Sequence, residues 1–413
     1  MIKITFYSLL FVCVIGCYKD AIPTPTLPTK KLTFLDSIQV WQQIIQPDSS
    51  ECSVGFVFSI GDKAIFVSHF YTDRSTLVHG RNADTGQKSW GLPSNSIIQS
   101  VSDAVLTDAQ KLFVNSWGKT AIIDPYTGNI AWEYNVKETP NTGGNPRIGY
   151  FRNKLFQGIF SAEAFPSVGH LLCTDDGSPQ WDTLFTVRKV ENNDFSPMVI
   201  EPVNGTLLPN GDTVIVFSIG SWNIAQNRGK GDLIALNLTR DTLQWQIDDF
   251  DINLSTQALP IANGKVYVNS TRKVACVDVA TGNVIWEAKD FSLGKLGSNM
   301  ITVGNRLYIN TLEWDGLYCL DAGTGAKLGK SSNYGNVDAL SHYNGRIYFV
   351  CSGDGKLHCV NATTMREEWA HLPSNNRIDS RSSFAFAGIA IDTARGYLYT
   401  SDHFFALCFK LPE

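Results

Sequence analysis

The side chains able to do chemistry in this 413-residue chain are few and scattered. Its seven histidines, at 69, 79, 170, 342, 358, 371 and 403, lack the i, i+4 pairing that aims two imidazoles at one metal, so they read as ordinary strand and loop residues. Asp249, Asp251 and Asn253 space side-chain oxygens like the start of a calcium loop. Leu254, however, stands where such a loop needs glycine, and Pro260 where it needs the closing glutamate, which leaves the trio a weak calcium candidate. Ser352-Gly353-Asp354-Gly355-Lys356 has the glycines of a phosphate cradle without the spacing, and it lies between two strand patterns, so it reads as a hairpin turn. Beyond the amino terminus the cysteines are 52, 173, 276, 319, 351, 359 and 408. Cys276, Cys319, Cys359 and Cys408 stand two residues before the first residue of a recurring motif, and Cys173 two before Asp175. Equivalent positions in different repeats lie beyond the roughly 7 Å Cα limit of a disulfide, which predicts small buried core residues. The reading finds no catalytic set, no cofactor and no firm metal site. A net charge of -5 and a pI near 5.8 give no basic footprint for nucleic acid.

The elements that would position these residues come from an internal repeat. Asp124-Pro125-Tyr126-Thr127-Gly128 followed by Trp132, and Asp278-Val279-Ala280-Thr281-Gly282 followed by Trp286, share the pattern Asp-x-x-Thr-Gly-x-x-x-Trp. Weaker copies lead to Trp90, Trp245 and Trp369. Asp321, Thr324 and Gly325 keep the turn but put Gly329 at the tryptophan position, and a shortened copy leads to Trp181. Most steps between copies are 40 to 43 residues, the length of one propeller blade. Each copy follows a turn and an apolar strand, as at Asn263-Gly264-Lys265-Val266-Tyr267, whose Asn-Gly suits a tight hairpin with positive φ. Each repeat therefore predicts a four-stranded antiparallel meander, with the acid and glycine shaping the last turn and the indole burying itself between blades. The final repeat stops after its third strand, at 406–409, whereas residues 37–42 form an isolated strand pattern containing Trp41. Seven internal copies and this composite predict an all-β propeller of eight blades, closed by the amino-terminal strand.

This motif resembles the tryptophan-docking motif of the pyrroloquinoline-quinone-like, quinoprotein alcohol dehydrogenase-like propeller superfamily. The resemblance covers residues 31–413. It implies one of two kinds of protein: quinone-dependent dehydrogenases or non-catalytic BamB-like bacterial lipoproteins. The dehydrogenases use a disulfide between adjacent cysteines, and no two cysteines here are adjacent; the second group is the better match.

The amino terminus supports that choice. Lys3, an apolar run from Ile4 to Val14, and Val14-Ile15-Gly16-Cys17 form a signal peptide with a small residue before the cysteine, too short to span a membrane. The last four residues are similar to the lipobox of bacterial lipoproteins, which implies removal of residues 1–16 and diacylation of Cys17. Residues 17–30, with three prolines between Ala21 and Lys30, read as a stiff tether reaching roughly 30 Å. Tyr18 in place of an aspartate favours the outer membrane, and Lys19-Asp20 is similar to the charged signals that send some lipoproteins to the cell surface.

The expected function is a lipid-anchored, non-catalytic scaffold, monomeric within a complex, that binds an envelope protein through propeller loops. Trp222 and Arg228 in a long insertion of the fourth blade, Phe165 in the third, and Arg377 and Arg381 before the last blade are the candidate contacts, since long loops on a rigid frame carry binding and Trp and Arg anchor interfaces. A surface glycan-binding lipoprotein and a quinone-dependent oxidoreductase are the alternatives.

Overall fold

Short apolar strands joined by tight turns must bury two faces each, and a ring of stacked sheets does this without leaving open edges. The computed structural model describes residues 34–45, 52–70, 76–92, 101–116, 119–135, 142–143, 148–161, 168–175, 178–188, 199–200, 203–223, 228–248, 250, 259–269, 273–289, 291, 296–311, 316–331, 337–377 and 379–413. Within them the strands form eight antiparallel sheets, seven of them meanders in chain order and the eighth completed by the amino-terminal strand. Blades three and four carry a fifth piece only because their first strand is broken in two, Thr142–Gly143 with Ile148–Phe151 and Val199–Ile200 with Asn204–Leu207. First strands of neighbouring blades touch around the axis. The core is the set of apolar seams between blades, where every described cysteine is buried and none is in a disulfide.

The ring closes as the truncated last repeat requires. Gln39–Ile44 pairs antiparallel with Phe405–Lys410, Trp41 standing opposite Cys408 as the outer strand of blade eight. Buried Arg81 of blade one clamps this strand, donating to the Ile44 carbonyl at 2.7 Å and to that of Gly86 at 2.9 Å. Blade eight has no docking turn of its own. The short helix Phe34–Ile38 fills in for it: Phe34 lies 5.2 Å from Trp369 of blade seven, and Leu35 is fully buried in the same seam.

The seats between blades obey one rule at four places. Indole Nε1 of Trp41, Trp90, Trp245 and Trp286 donates to the carbonyls of Ala83, Pro125, Val279 and Ala322, at 2.8, 2.9, 2.7 and 3.2 Å. Each acceptor is the residue after the first Asn or Asp of the next blade's turn. The indole lies flat on that turn's glycine, so closely that a Cβ on Gly325 would sit 2.5 Å from Trp286. Glycine is required there twice over, because its φ is also +75°.

The remaining seats depart from the repeat. Gly329 of blade six faces Met365, which occupies the glycine position of blade seven's turn and reaches to 2.8 Å of where a Gly329 Cβ would be. The acceptor there, Ala362, is bonded instead by Tyr308 Oη at 2.8 Å and Arg306 Nη1 at 2.9 Å. Trp132 packs edge-on against Phe113 and its Nε1 finds no partner. Trp181 is not a docking residue of the predicted kind. The bulge that blades one, two and four to seven place directly after the residue opposite the indole position lies two residues earlier in blade three, between Leu171 and Leu172, with Asp182 opposite Cys173 and Phe185 opposite Leu171. Trp181 turns back onto Tyr134 of blade two, at 5.6 Å, and Phe185 packs on Phe217 of blade four, at 5.8 Å.

Candidate interaction face

In an antiparallel meander the first and third turns fall at one end of the sheet, and the second turn and the connection to the next blade at the other. One face of the ring therefore collects every docking turn, the other every second turn and inter-blade connection. The described candidate contacts, Trp222, Arg228, Arg377 and Arg381, belong to the second face.

Among the described residues, blade four carries its longest strand pair. Residues 220–223 and 228–231 continue the ladder of Thr213–Asn223 with Arg228–Asn237, through Trp222 opposite Gly229 and Asn223 opposite Arg228. With 11 and 10 residues these strands outrun the corresponding five-residue pairs of blades two and five, so the hairpin rises above the face. Blade three makes a similar eight-residue pair, Lys154–Ser161 with Val168–Asp175, while Phe165 lies outside the described residues. So do Cys17, the tether and the calcium candidates Asp249, Asp251 and Asn253.

The connection into blade eight is held rigidly. The Asp402 carboxylate, 1% exposed, accepts from Asn375 Nδ2 at 3.0 Å, Ser382 Oγ at 2.7 Å and the amides of Phe404 and Phe405 at 2.8 and 2.6 Å. Burial raises its pKa against the pull of those four donors. Asn375 in turn accepts from Gln42 of the closing strand at 3.1 Å, so one buried acid ties the connection, the blade-eight turn and the amino-terminal strand together. Arg377 ends the short 3-10 turn Ser374–Arg377 on this frame. Arg381 is already engaged, forked onto Asp379 with Nε 3.0 Å from Oδ1 and its guanidinium 5.3 Å above the Phe404 ring. That pairing lowers the pKa of Asp379 and makes Arg381 a weaker candidate for an outside anion.

Two features of this molecule escape sequence reasoning. Between blades three and four, where a docking indole would lie, is a cleft of about 240 Å³ lined by Leu184, Phe185, Leu236, Leu238 and Leu243 among others. At the second turn of blade seven, Cys351, Asp354 and His358 bring their ligand atoms within 4.8 Å of one another. The signal was Cys-x-x-Asp-x-x-x-His spanning a glycine turn, a spacing that means nothing until the hairpin is known to be tight.

The sequence profile described as outer membrane protein assembly factor BamB matches residues 159–369, just over half of the chain. Tetrathionate hydrolase of Acidithiobacillus ferrooxidans is 22% identical over 166 residues, 34% of this chain, and the match spans about a third (33%) of that enzyme's length. Among solved structures, BamB from Moraxella catarrhalis superposes with a TM-score of 0.56 at 15% identity, covering 90% of this chain and 97% of that one. A quinohemoprotein alcohol dehydrogenase from Pseudomonas putida gives 0.61 at 12% identity, covering 94% and 78%. At such identities the structural likeness establishes the propeller fold. The adjacent-cysteine pair that the resemblance implies for quinone binding has no counterpart here, since no two cysteines are neighbours and none of the described ones is in a disulfide.

Proposed function

The chain belongs to the family of the outer membrane protein assembly factor BamB, and on that premise we propose that it is a lipid-anchored scaffold that binds an envelope protein through the connection face of its propeller. In this reading residues 1–16 are a signal peptide, Cys17 carries the lipid, residues 17–30 are the tether and the ring begins at 31. The observation that carries the proposal is the blade-four hairpin: a ladder of ten rungs where blades two and five have five, on a ring whose docking face is consumed by blade-to-blade packing. Trp222 and Arg228 near its tip and Arg377 on the braced connection are the proposed contacts, with Phe165 of blade three beside them in the repeat order.

The test is crosslinking in intact membranes with the chain carrying a photoreactive residue at 222, followed by identification of what is captured. One defined protein is expected, lost when residues 221–230 are replaced by a two-residue Asn-Gly turn that keeps Gly220 opposite Gly231. Capture unchanged by that replacement would remove the hairpin from the interface. The dehydrogenase likeness supports a second reading, a quinone-dependent oxidoreductase; saturable binding of pyrroloquinoline quinone with calcium, accompanied by dye reduction, would establish it in place of the scaffold.

A further inference from the structure

We propose that the second turn of blade seven is a zinc site, with Cys351 Sγ, the Asp354 carboxylate and His358 Nε2 as protein ligands and water at the fourth position. This inference stands apart from the scaffold reading and uses none of its residues.

The turn joins Arg346–Cys351 to Lys356–Asn361 and is closed by the Gly355 amide donating to the Cys351 carbonyl at 2.8 Å, with Gly355 at φ +70°. Phe349 stands opposite His358 in the ladder, and Cys351 is two residues beyond Phe349, so cysteine and histidine share one face of the hairpin. Asp354 curls back from the turn onto them, its Oδ1 3.2 Å from His358 Nε2. A tetrahedral zinc with Zn–S near 2.3 Å and Zn–N and Zn–O near 2.0–2.1 Å separates its ligand atoms by roughly 3.3–3.6 Å. The histidine–aspartate distance is already there, and the trio as a whole, within 4.8 Å, needs to contract by about 1 Å at most.

The imidazole is held as a metal ligand is held. Its other nitrogen, Nδ1, lies 2.9 Å from Glu367 Oε2, the carboxylate–histidine pairing that fixes the tautomer and strengthens the nitrogen facing the metal. Its ring lies flat on Phe349, 4.9 Å away and tilted by 7°. Cys351 is fully buried and His358 2% exposed, whereas Asp354 is a quarter open to solvent, giving the ion a dry side and an entry side. One thiolate, one imidazole and one carboxylate suit zinc better than calcium or magnesium, which prefer all-oxygen sets. Without an ion the group balances its charge differently. Burial opposes a proton on His358, but Asp354, Cys351 and Glu367 outweigh it and lift that pKa to about 9. Zinc binds a thiolate and a neutral imidazole, so its binding releases protons to solvent.

The full mature chain, stripped with a chelator, should bind cobalt at one equivalent with a thiolate-to-cobalt charge-transfer band in the near ultraviolet, and zinc should bleach it. Cys351→Ser should lose the band, and Glu367→Gln should keep it with affinity about 10- to 100-fold lower. Asp354→Asn, at the partly open ligand, serves where the buried cysteine variant does not fold and should also weaken binding. No saturable binding at micromolar metal, a cobalt spectrum without the thiolate band, or binding indifferent to these changes would each overturn the site.

Discussion

The two faces of the ring were built by different rules. On the docking face, turns beginning at Asn82, Asp124, Asp278 and Asp321 are near-copies: the first side chain accepts from the amide three residues on, and in all but Asp278 from the one before it as well, glycine follows at φ between +71° and +76°, and an indole from the preceding blade covers it. On the connection face the described features of blades four, seven and eight differ from one another. Blade four has its rising hairpin, blade seven its Cys-Asp-His turn, and blade eight the Asp402 cluster. Repetition thus marks the surface that holds the protein together, and variation marks the surface left free to take on a task.

If the docking face is structural, the largest loss should come from the seat that closes the ring. Trp41→Ala should destabilise by about 3–5 kcal/mol in chemical denaturation, since it removes a buried indole, its bond to Ala83 and the cover on Gly86. A melting curve indistinguishable from wild type would break the comparison. The inverted seat tests whether the rule is local: Gly329→Trp alone should cost about 1–3 kcal/mol through overlap with Met365, and adding Met365→Gly should recover most of it, a coupling read from a double-mutant cycle.

A smaller, pH-dependent effect comes from His79 in the wall of blade one. It is fully buried, stacked on Phe66 at 5.4 Å, and neither ring nitrogen has a partner. Burial, then Arg81 and Lys88, hold its pKa well below 6.5. The unfolded chain takes up a proton below pH 6.5 that the folded chain refuses, so stability is kept above 6.5 and declines below it. Unfolding measured across that range should show the acid decline in wild type and a flatter profile in His79→Leu. Least of all, replacing 221–230 by the two-residue turn should shift folding stability by no more than about 0.5 kcal/mol, because the trimmed rungs extend beyond the seams. A loss of several kcal/mol would make the hairpin part of the frame.

Blade number, the meander, the closing strand and the regular seats were legible because they rest on local chemistry repeated at a fixed period: an Asx turn, a positive-φ glycine, an indole eight residues on. Cys276, Cys359 and Cys408 likewise stand opposite Trp286, Trp369 and Trp41, as their shared offset predicts. The candidate contacts were legible only as insertions. That residues 220–223 and 228–231 continue as paired strands follows from cross-strand pairing, which a stretch with five glycine and asparagine residues between 220 and 231 conceals.

By itself, then, the sequence determined the architecture, since each turn and strand carries its own instructions and their count sets the ring. Tertiary structure alone decided which side chain sits in each irregular seat. In blade three a displaced bulge and a shortened turn put Phe185 rather than Trp181 on the seam with blade four, and in blade seven Met365 reaches into the space Gly329 leaves. It alone also brought Cys351, Asp354 and His358 together. The physical reason is parity: side chains alternate across a strand, so one inserted residue sends them to the opposite seam, and the packing of the adjoining blade decides where that residue goes.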